Sequence, residues 1–315
     1  SFNTAVGFHS GLAVTTGTYN TLIGGLSGDA LTTGTQNVAV GYNALGAEDT
    51  GSKSVAVGIS ALASQNNNAS NFNVAVGHQA GLSVTTGIEN TLIGSLAGDA
   101  LTDADYNVAL GSAALSSDTL GNRATALGTF ALFSQNFQSA TDNYNVAVGY
   151  AAGNVITTGI QNTLIGGLAG DAITDADYNV ALGYSSLTTN QLGSKSTAIG
   201  TFSLNNQNPA SATDMFNTAV GYAAGGVITT GRYNTIMGGL SGDALTEGSQ
   251  NIAIGYAALT SDTKGSKSIA IGESALYTQN FTTATDTNNV AIGENAGMLV
   301  TTGTNNTFVG ALAGD

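Results

Sequence analysis

A five-residue motif, [Asn/Ser/Ala]-x-[Ala/Leu/Ile/Phe]-[Val/Ile/Leu/Met]-Gly, occurs 18 times in this chain of 315 residues, and its copies begin 17 residues apart except after every fourth copy. The step there is 19 residues once and 21 residues three times, so a four-copy superrepeat of 70 and later 72 residues lies above the short period. Such a repeat is one small supersecondary unit that buries its apolar side only by stacking on its neighbours. The sequence therefore predicts a single continuous array of 18 coils over 1–315, which we interpret as an excerpt of a longer chain.

Alternation inside the motif predicts a β-strand with two apolar faces. In the copy at 37–41, Val38 and Val40 point to one face and Ala39 to the other. A strand that is apolar on both faces is covered on both sides. We expect one cover to be the interior of the coil and the other to be a threefold axis shared by identical chains, met by the central residue. The central residues predicted at this axis are Ala5, Leu22, Ala39, Ala56, Ala75, Leu92, Ala109, Leu164 and Ala253.

The rest of each repeat predicts how the coil closes. The opening residue is Asn in 14 of 18 copies, which predicts a ladder of amides between stacked coils. A second short strand is expected around Val14, Leu31 and their equivalents, so that each coil reads strand, turn, strand, turn. The fold class predicted is an all-β, parallel β-solenoid.

Composition narrows the function classes. A net charge of −14 with no cluster of Lys and Arg argues against nucleic acid as a partner. No apolar run approaches the ~20 residues of a membrane helix, so no membrane insertion is expected. Neither a dinucleotide-binding glycine motif nor a nucleophile elbow occurs, and the two histidines, His9 and His78, fall in equivalent coils of successive superrepeats. We therefore predict that the chain is not an enzyme and carries no cofactor.

The motifs SVAVG (54–58), NVAVG (73–77), STAIG (196–200), SIAIG (268–272) and NVAIG (289–293) resemble the head repeats of YadA-like trimeric autotransporter adhesins. That resemblance implies a left-handed parallel β-roll in which three chains pack about a common axis. The segments with V/I-T-T-G and N-T-L-I-G-x-L-A-G-D are also similar to repeat regions of long bacteriophage tail fibres. The repeats here are longer than those of the adhesin heads, and no neck, stalk or anchor is visible.

One set of acidic residues is a candidate for metal binding. Calcium prefers six to eight oxygen ligands, and these acids occupy one register, although the nonapeptide pattern of calcium β-rolls is absent. We favour turn-forming aspartates that follow a glycine. The residues are Asp29, Asp99, Asp171 and Asp243.

The extended fourth turns, at 64–72, 134–144, 205–216 and 278–288, predict exposed loops on a rigid scaffold, where recognition is usually found. We expect them to lie outside the core and to tolerate deletion. The residues predicted to face a receptor are Asn136, Phe137, Asn208, Pro209, Asn280 and Phe281.

Three other regular features have alternative interpretations. Lys53, Arg123, Lys195 and Lys267 precede the fourth motif of each superrepeat, and acids about one turn earlier (Asp49, Asp118, Asp262) suggest either ion pairs or a solvated turn. Aromatic residues on either side of the motif fit corner packing better than stacking on sugars. The Thr-Thr-Gly steps suggest ice binding as a function, but they recur only every fourth coil.

These patterns favour an extracellular fibre shaft in a bacteriophage tail fibre that contributes to host attachment, built from this chain and two identical copies. A host cell-surface glycan or protein would be bound by the exposed loops or by a tip domain outside this sequence. The absence of cysteine is compatible with that location. One alternative is the head of a bacterial trimeric surface adhesin, and another is a monomeric solenoid that binds ice or polysaccharide.

Overall fold

A computed structural model describes residues 2–315, and over that range the chain is all-β with no helix. The chain divides into two units, the first ending at Thr158 and the second covering Gly159–Asp315. Each unit is a parallel β-solenoid of nine turns, and every turn contributes one three-residue strand from the motif. The predicted fold class, an all-β parallel β-solenoid of about 18 turns, is confirmed. No helix long and apolar enough to cross a membrane is found among the described residues.

Eleven strands belong to the first unit, and two of them, β8 and β10, are short strands outside the motif. Their bounds are β1 Thr4–Val6, β2 Thr21–Ile23, β3 Val38–Val40, β4 Val55–Val57, β5 Val74–Val76, β6 Thr91–Ile93, β7 Val108–Leu110, β8 Gly121–Asn122, β9 Thr125–Leu127, β10 Thr141–Asp142 and β11 Val146–Val148.

The second unit holds the other thirteen strands, of which four are short strands outside the motif. Their bounds are β12 Thr163–Ile165, β13 Val180–Leu182, β14 Gly193–Ser194, β15 Thr197–Ile199, β16 Thr213–Asp214, β17 Thr218–Val220, β18 Thr235–Met237, β19 Ile252–Ile254, β20 Gly265–Ser266, β21 Ile269–Ile271, β22 Thr285–Asp286, β23 Val290–Ile292 and β24 Thr307–Val309.

Within each unit the motif strands stack in register, residue on equivalent residue. Ala39 of β3 pairs with Ala56 of β4, for example. The glycine that closes the motif permits this close stacking: Gly41 has φ +138°, and a Cβ added to it would lie 2.3 Å from the carbonyl oxygen of Gly58. No residue with a side chain fits there without moving the backbone of the next coil.

The corners of the coil are made by single residues in the left-handed backbone conformation. In one coil of the first unit Ala113, Leu115 and Arg123 have φ of 52°, 54° and 62°. Each such corner costs a non-glycine residue about 1–2 kcal/mol. No strand forms around Val14 or Leu31, so the predicted second strand is wrong. Of the short strands outside the motif, β10, β16 and β22 lie in the fourth turns and pair with β8, β14 and β20, which precede the fourth motifs.

The central residue of the motif points into the coil interior, which corrects the predicted trimer axis. Leu22, Ala39, Ala56, Ala75, Leu92, Ala109, Leu164 and Ala253 are all buried inside the single chain, and only Ala5, in the first coil, is exposed. The predicted alternation is confirmed, but the inward and outward faces are the reverse of those predicted. The reason is volume: the interior of so narrow a coil admits mainly alanine beside the larger residues of its other wall.

The four-coil superrepeat is a packing period of this interior. The second coil carries a large central residue, Leu22, and the first two coils carry glycine at the facing corner, Gly11 and Gly28. A Cβ added to either glycine would lie 2.7 or 2.9 Å from a Leu22 methyl group. The third and fourth coils reverse the arrangement, with central alanines facing the buried corner leucines Leu45 and Leu62. Large and small residues thus alternate across one filled interior.

The opening asparagines form the predicted ladder. Asn37 donates its backbone N–H to the side-chain oxygen of Asn20 at 3.0 Å, and its own Nδ2 donates to the carbonyl of Gly51 at 2.9 Å. Its Oδ1 in turn accepts the backbone N–H of Ser54 at 2.9 Å. Each step of this ladder therefore joins one coil to the next, which satisfies corner groups that would otherwise be unpaired.

Candidate functional site

The most extensive exposed feature is the outer face of the motif strands. The fourth motif residue is Val, Ile, Leu or Met in all 18 copies, and the second is Thr, Val or Ile. Both point outward; Leu110, Leu182 and Met237 expose 46%, 42% and 42% of their surface. We call these two columns the outer strip. An uncharged β-face of this kind in each unit is typical of a surface that another molecule covers.

Two columns of exposed aromatic residues flank the outer strip. One directly precedes the motif and includes Tyr106, Tyr178, Phe216 and Tyr233. Two of its rings have occupied faces: Phe216 stacks on Tyr233 with centroids 5.5 Å apart, Lys195 lies 5.3 Å from the Phe216 centroid, and Arg232 lies 5.6 Å from that of Tyr233. The other column directly follows the motif glycine and includes Tyr42, Tyr150, Tyr184, Tyr222 and Tyr256.

Three of the four fourth turns are built around a buried carboxylate. Asp118 accepts hydrogen bonds from the backbone N–H groups of Gly121 at 3.0 Å and Phe137 at 3.2 Å, and from Nε2 of Gln135 at 2.6 Å. Gln135 then accepts from Nδ2 of Asn145 at 2.9 Å, which replaces the asparagine missing from the fourth coil. Glu48 with Gln65 and Asp262 with Gln279 repeat the arrangement.

The third superrepeat varies this arrangement in a physically consistent way. Pro209 stands where Phe137 and Phe281 stand in the other copies and has no N–H to donate. Asn190 stands where the carboxylate would be, and it bonds both the N–H and the carbonyl of Gly193, at 3.0 and 2.6 Å. The carboxylate is absent from the one long turn whose backbone donor is absent.

These contacts correct part of the receptor-facing prediction. Phe137, Pro209 and Phe281 are buried, so they pack the turn and are not available to a receptor. Asn208 and Asn280 are exposed, and Asn136 is half-buried. The fourth turn of the second superrepeat is only partly an exposed loop: residues 138–140 form an exposed tip, whereas Thr141–Asp142 is strand β10 and pairs with β8.

The basic residues before the fourth motif pair with acids in the next long turn. Arg123 lies 3.1 Å from Asp142, Lys195 lies 2.6 Å from Asp214, and the same pairing joins Lys267 to Asp286 at 2.5 Å. The hydrogen bond from Lys195 to Asp214 raises the pKa of the lysine. The acids predicted for two of these pairs are wrong, since Asp118 and Asp262 are buried. Such exposed pairs contribute ~1 kcal/mol at most.

A groove of about 690 Å³ lies in the second unit, beside the pair Phe216 and Tyr233. Asp175, Asp177 and Asp214 line it together with Arg232. Burial raises the pKa of Asp177. Because the ring faces beside this groove are already covered by Lys195 and Arg232, the groove offers acidic edges and no free aromatic face.

The metal candidates lie one per superrepeat and are not brought together. Asp99 and Asp243 each accept a hydrogen bond from a hydroxyl in the next coil, Ser116 and Thr260 respectively. One carboxylate oxygen of Asp171 is buried without a hydrogen-bond partner, and burial raises the pKa of this residue. Over residues 2–315, no group of three or more His, Asp or Glu side chains is arranged to hold a metal ion. The backbone carbonyl of Asp29 accepts from the N–H of Ala13 at 3.1 Å.

Comparison with family models, with curated proteins and with solved structures found no match to this chain.

Proposed function

We propose that this chain is the structural shaft of a homotrimeric fibre, a bacteriophage tail fibre that contributes to attachment to the host cell. The observation that carries the proposal is the outer strip, whose fourth motif position is aliphatic in every copy. The central residues already fill the coil interior, so packing of the interior does not require this outward column to be uncharged. Two further copies of the same chain are the occupants that this strip fits, because a closed symmetric assembly covers the same surface on every member.

The number of chains and the viral assignment are supported by the motif resemblance described above. The outer strip adds a mechanical argument. β-Branched and aliphatic residues on a flat face pack with many small contacts, and burial contributes about 25 cal/mol for each Å² removed from water. A parallel bundle would gain this free energy at every coil, which suits a shaft that must resist bending and unfolding.

Sedimentation equilibrium of the purified chain tests the proposal. We expect a mass three times that of the 31.2 kDa chain. Replacing Leu182 and Met237 by Lys should yield a folded monomer, since both side chains point outward and burial of unpaired ammonium groups between chains is strongly unfavourable. A matched control, Gln138→Lys with Ser139→Lys at the exposed tip of a fourth turn, should remain trimeric. A monomeric parent, or trimeric Leu182/Met237 variants, would refute the assembly.

A separate observation decides between fibre and adhesin. Sequence flanking residues 1–315 in the full-length chain should encode a virion attachment domain or a self-cleaving chaperone if the chain is a tail fibre. A coiled-coil stalk followed by a membrane anchor would replace the proposal with the alternative, the head of a bacterial surface adhesin.

A further inference from the structure

The corner column, defined as the residue directly after each motif glycine, offers exposed aromatic rings at regular intervals. In the second unit it includes Tyr184, Tyr222 and Tyr256, which expose 52%, 58% and 57% of their surface. Among the described residues none of these three phenol hydroxyls has a hydrogen-bond partner within the chain. A tyrosine normally uses its ring for burial and its hydroxyl for a partner. These tyrosines keep more than half of their surface, and their hydroxyl groups, available to another molecule.

Glycine lies one coil before several rings of this column. Gly239 precedes Tyr256 by one coil, Gly25 precedes Tyr42, and Gly167 precedes Tyr184. These glycines are not in the left-handed conformation, and a Cβ added to Gly239 would lie 3.8 Å from Cδ2 of Tyr256, an ordinary contact. Backbone geometry therefore does not require glycine at this position. In the second superrepeat the corresponding pair is Ser95 and Ser112, and Thr201 lies one coil before Tyr222. The residue one coil before each of the three rings is therefore glycine or threonine.

Spacing along the column suits an extended polymer. Tyr222 and Tyr256 are two coils apart, which is ~9.6 Å for coils stacked at the strand spacing. Phe202 lies between Tyr184 and Tyr222, edge to face with both, at centroid distances of 5.7 and 6.1 Å. This contact holds two of the rings in fixed orientations. An array of fixed rings with a separation of about two sugar residues matches a chain of β-linked pyranoses, whose apolar faces recur at that interval.

The negative charge of the protein favours some of these polymers over others. The chain carries a net charge of −14, and the only charged residues in the corner column are acidic, Glu273 and Glu294. An anionic polysaccharide would be repelled at this surface. We propose that the corner column of the second unit binds a neutral, extended polysaccharide by stacking pyranose rings on Tyr222 and Tyr256, with Tyr184 continuing the array. The inference deepens the attachment role and rests on the proposed function for its biological purpose, while the binding itself requires only the folded coils.

Affinity electrophoresis of the native protein tests this inference. Gels would contain hydroxyethyl cellulose or glucomannan as neutral probes and polygalacturonate as the anionic probe. We expect retardation by at least one neutral polymer and none by polygalacturonate. The double variant Tyr222→Ala with Tyr256→Ala should bind at least tenfold more weakly. The same positions changed to Phe should retain binding, because the ring is kept.

A matched control changes the other aromatic column: Tyr178→Ala with Tyr233→Ala should retain binding. Loss of binding equally in this control, or no retardation of the parent by either neutral polymer, would overturn the inference. Sedimentation of the same samples separates the inference from the fibre proposal. If Tyr222→Ala with Tyr256→Ala abolishes oligomers, the column is a contact between chains and the polysaccharide site is refuted. If the parent is monomeric yet retarded, the fibre proposal fails and the polysaccharide site stands.

Discussion

Moving the large side chain from position 22 to position 28 tests how the interior is filled. Leu22 is buried, and the three atoms nearest to a Cβ added at Gly28 all belong to Leu22, at 2.9, 3.4 and 3.7 Å. Leu22→Ala opens a cavity and should cost about 2.7–5 kcal/mol. Gly28→Leu overpacks the same space, which costs about 1–3 kcal/mol, and the left-handed conformation of Gly28 (φ +53°) adds about 1–2 kcal/mol.

The double variant Leu22→Ala with Gly28→Leu converts the second coil to the pattern of the third, where Ala39 faces Leu45. If the two side chains share one volume, the overpacking disappears and the cavity is filled. The double variant should then lose only the cost of the left-handed corner, about 1–2 kcal/mol, which is less than Leu22→Ala alone loses. Independent sites would instead lose the sum, about 5–10 kcal/mol.

Urea unfolding followed by far-ultraviolet circular dichroism, at one fixed protein concentration, measures these differences. The expected order of midpoints is parent, double variant, then the two single variants. The control is Leu62→Ala with Gly28→Leu, which removes a different interior leucine and should be additive. The packing period would be refuted if the double variant, Leu22→Ala with Gly28→Leu, lost as much free energy of unfolding as the two single variants lose together.

Other expectations follow from individual contacts. Asp118→Asn should lower the free energy of unfolding by about 1–3 kcal/mol, because the new amide would face the Gln135 amide donor; denaturant unfolding measures this, and an unchanged midpoint would contradict it. Asp171→Asn should melt above the parent at pH 7, because burial raises the carboxyl pKa in the folded state and so disfavours the charged form. That advantage should shrink as the pH falls through the raised folded pKa toward the ordinary value of 3.8, and a pH series of melting curves checks it. Gly94→Ala should abolish soluble expression or lower the melting temperature sharply, because the added Cβ would lie 2.4 Å from the carbonyl oxygen of Gly111, whereas a tolerated alanine would contradict the stacking geometry.

The fourth turn shows why the candidate site was only partly predictable. Its variable length and polar composition suggested an outer loop, and residues 138–140 are indeed exposed. Burial of Gln135 and Phe137 depends on Asp118, which lies one coil earlier, 17 and 19 residues away. A pairing between coils of that kind leaves no signal within the turn itself. One signal was nevertheless present in the sequence: Asn190 and Pro209 change together in the third superrepeat.

The amino-acid sequence alone determined the coil and its stacking. A strict 17-residue period, a glycine closing every motif and an asparagine opening most of them require a parallel solenoid with an amide ladder, because only in-register stacking satisfies all three at once. Alternation in the motif also determined that its strand has two apolar faces.

Only the tertiary structure decided which face is inside. Val38 and Ala39 are both apolar, so periodicity cannot rank them, and the choice depends on the space left by the opposite wall of the coil. That wall carries Leu45, whose left-handed corner turns it inward against Ala39, and the valines are left on the surface. The available volume in the interior, a property of residues brought together by closure of the coil, therefore determines which surface the protein presents to its partners.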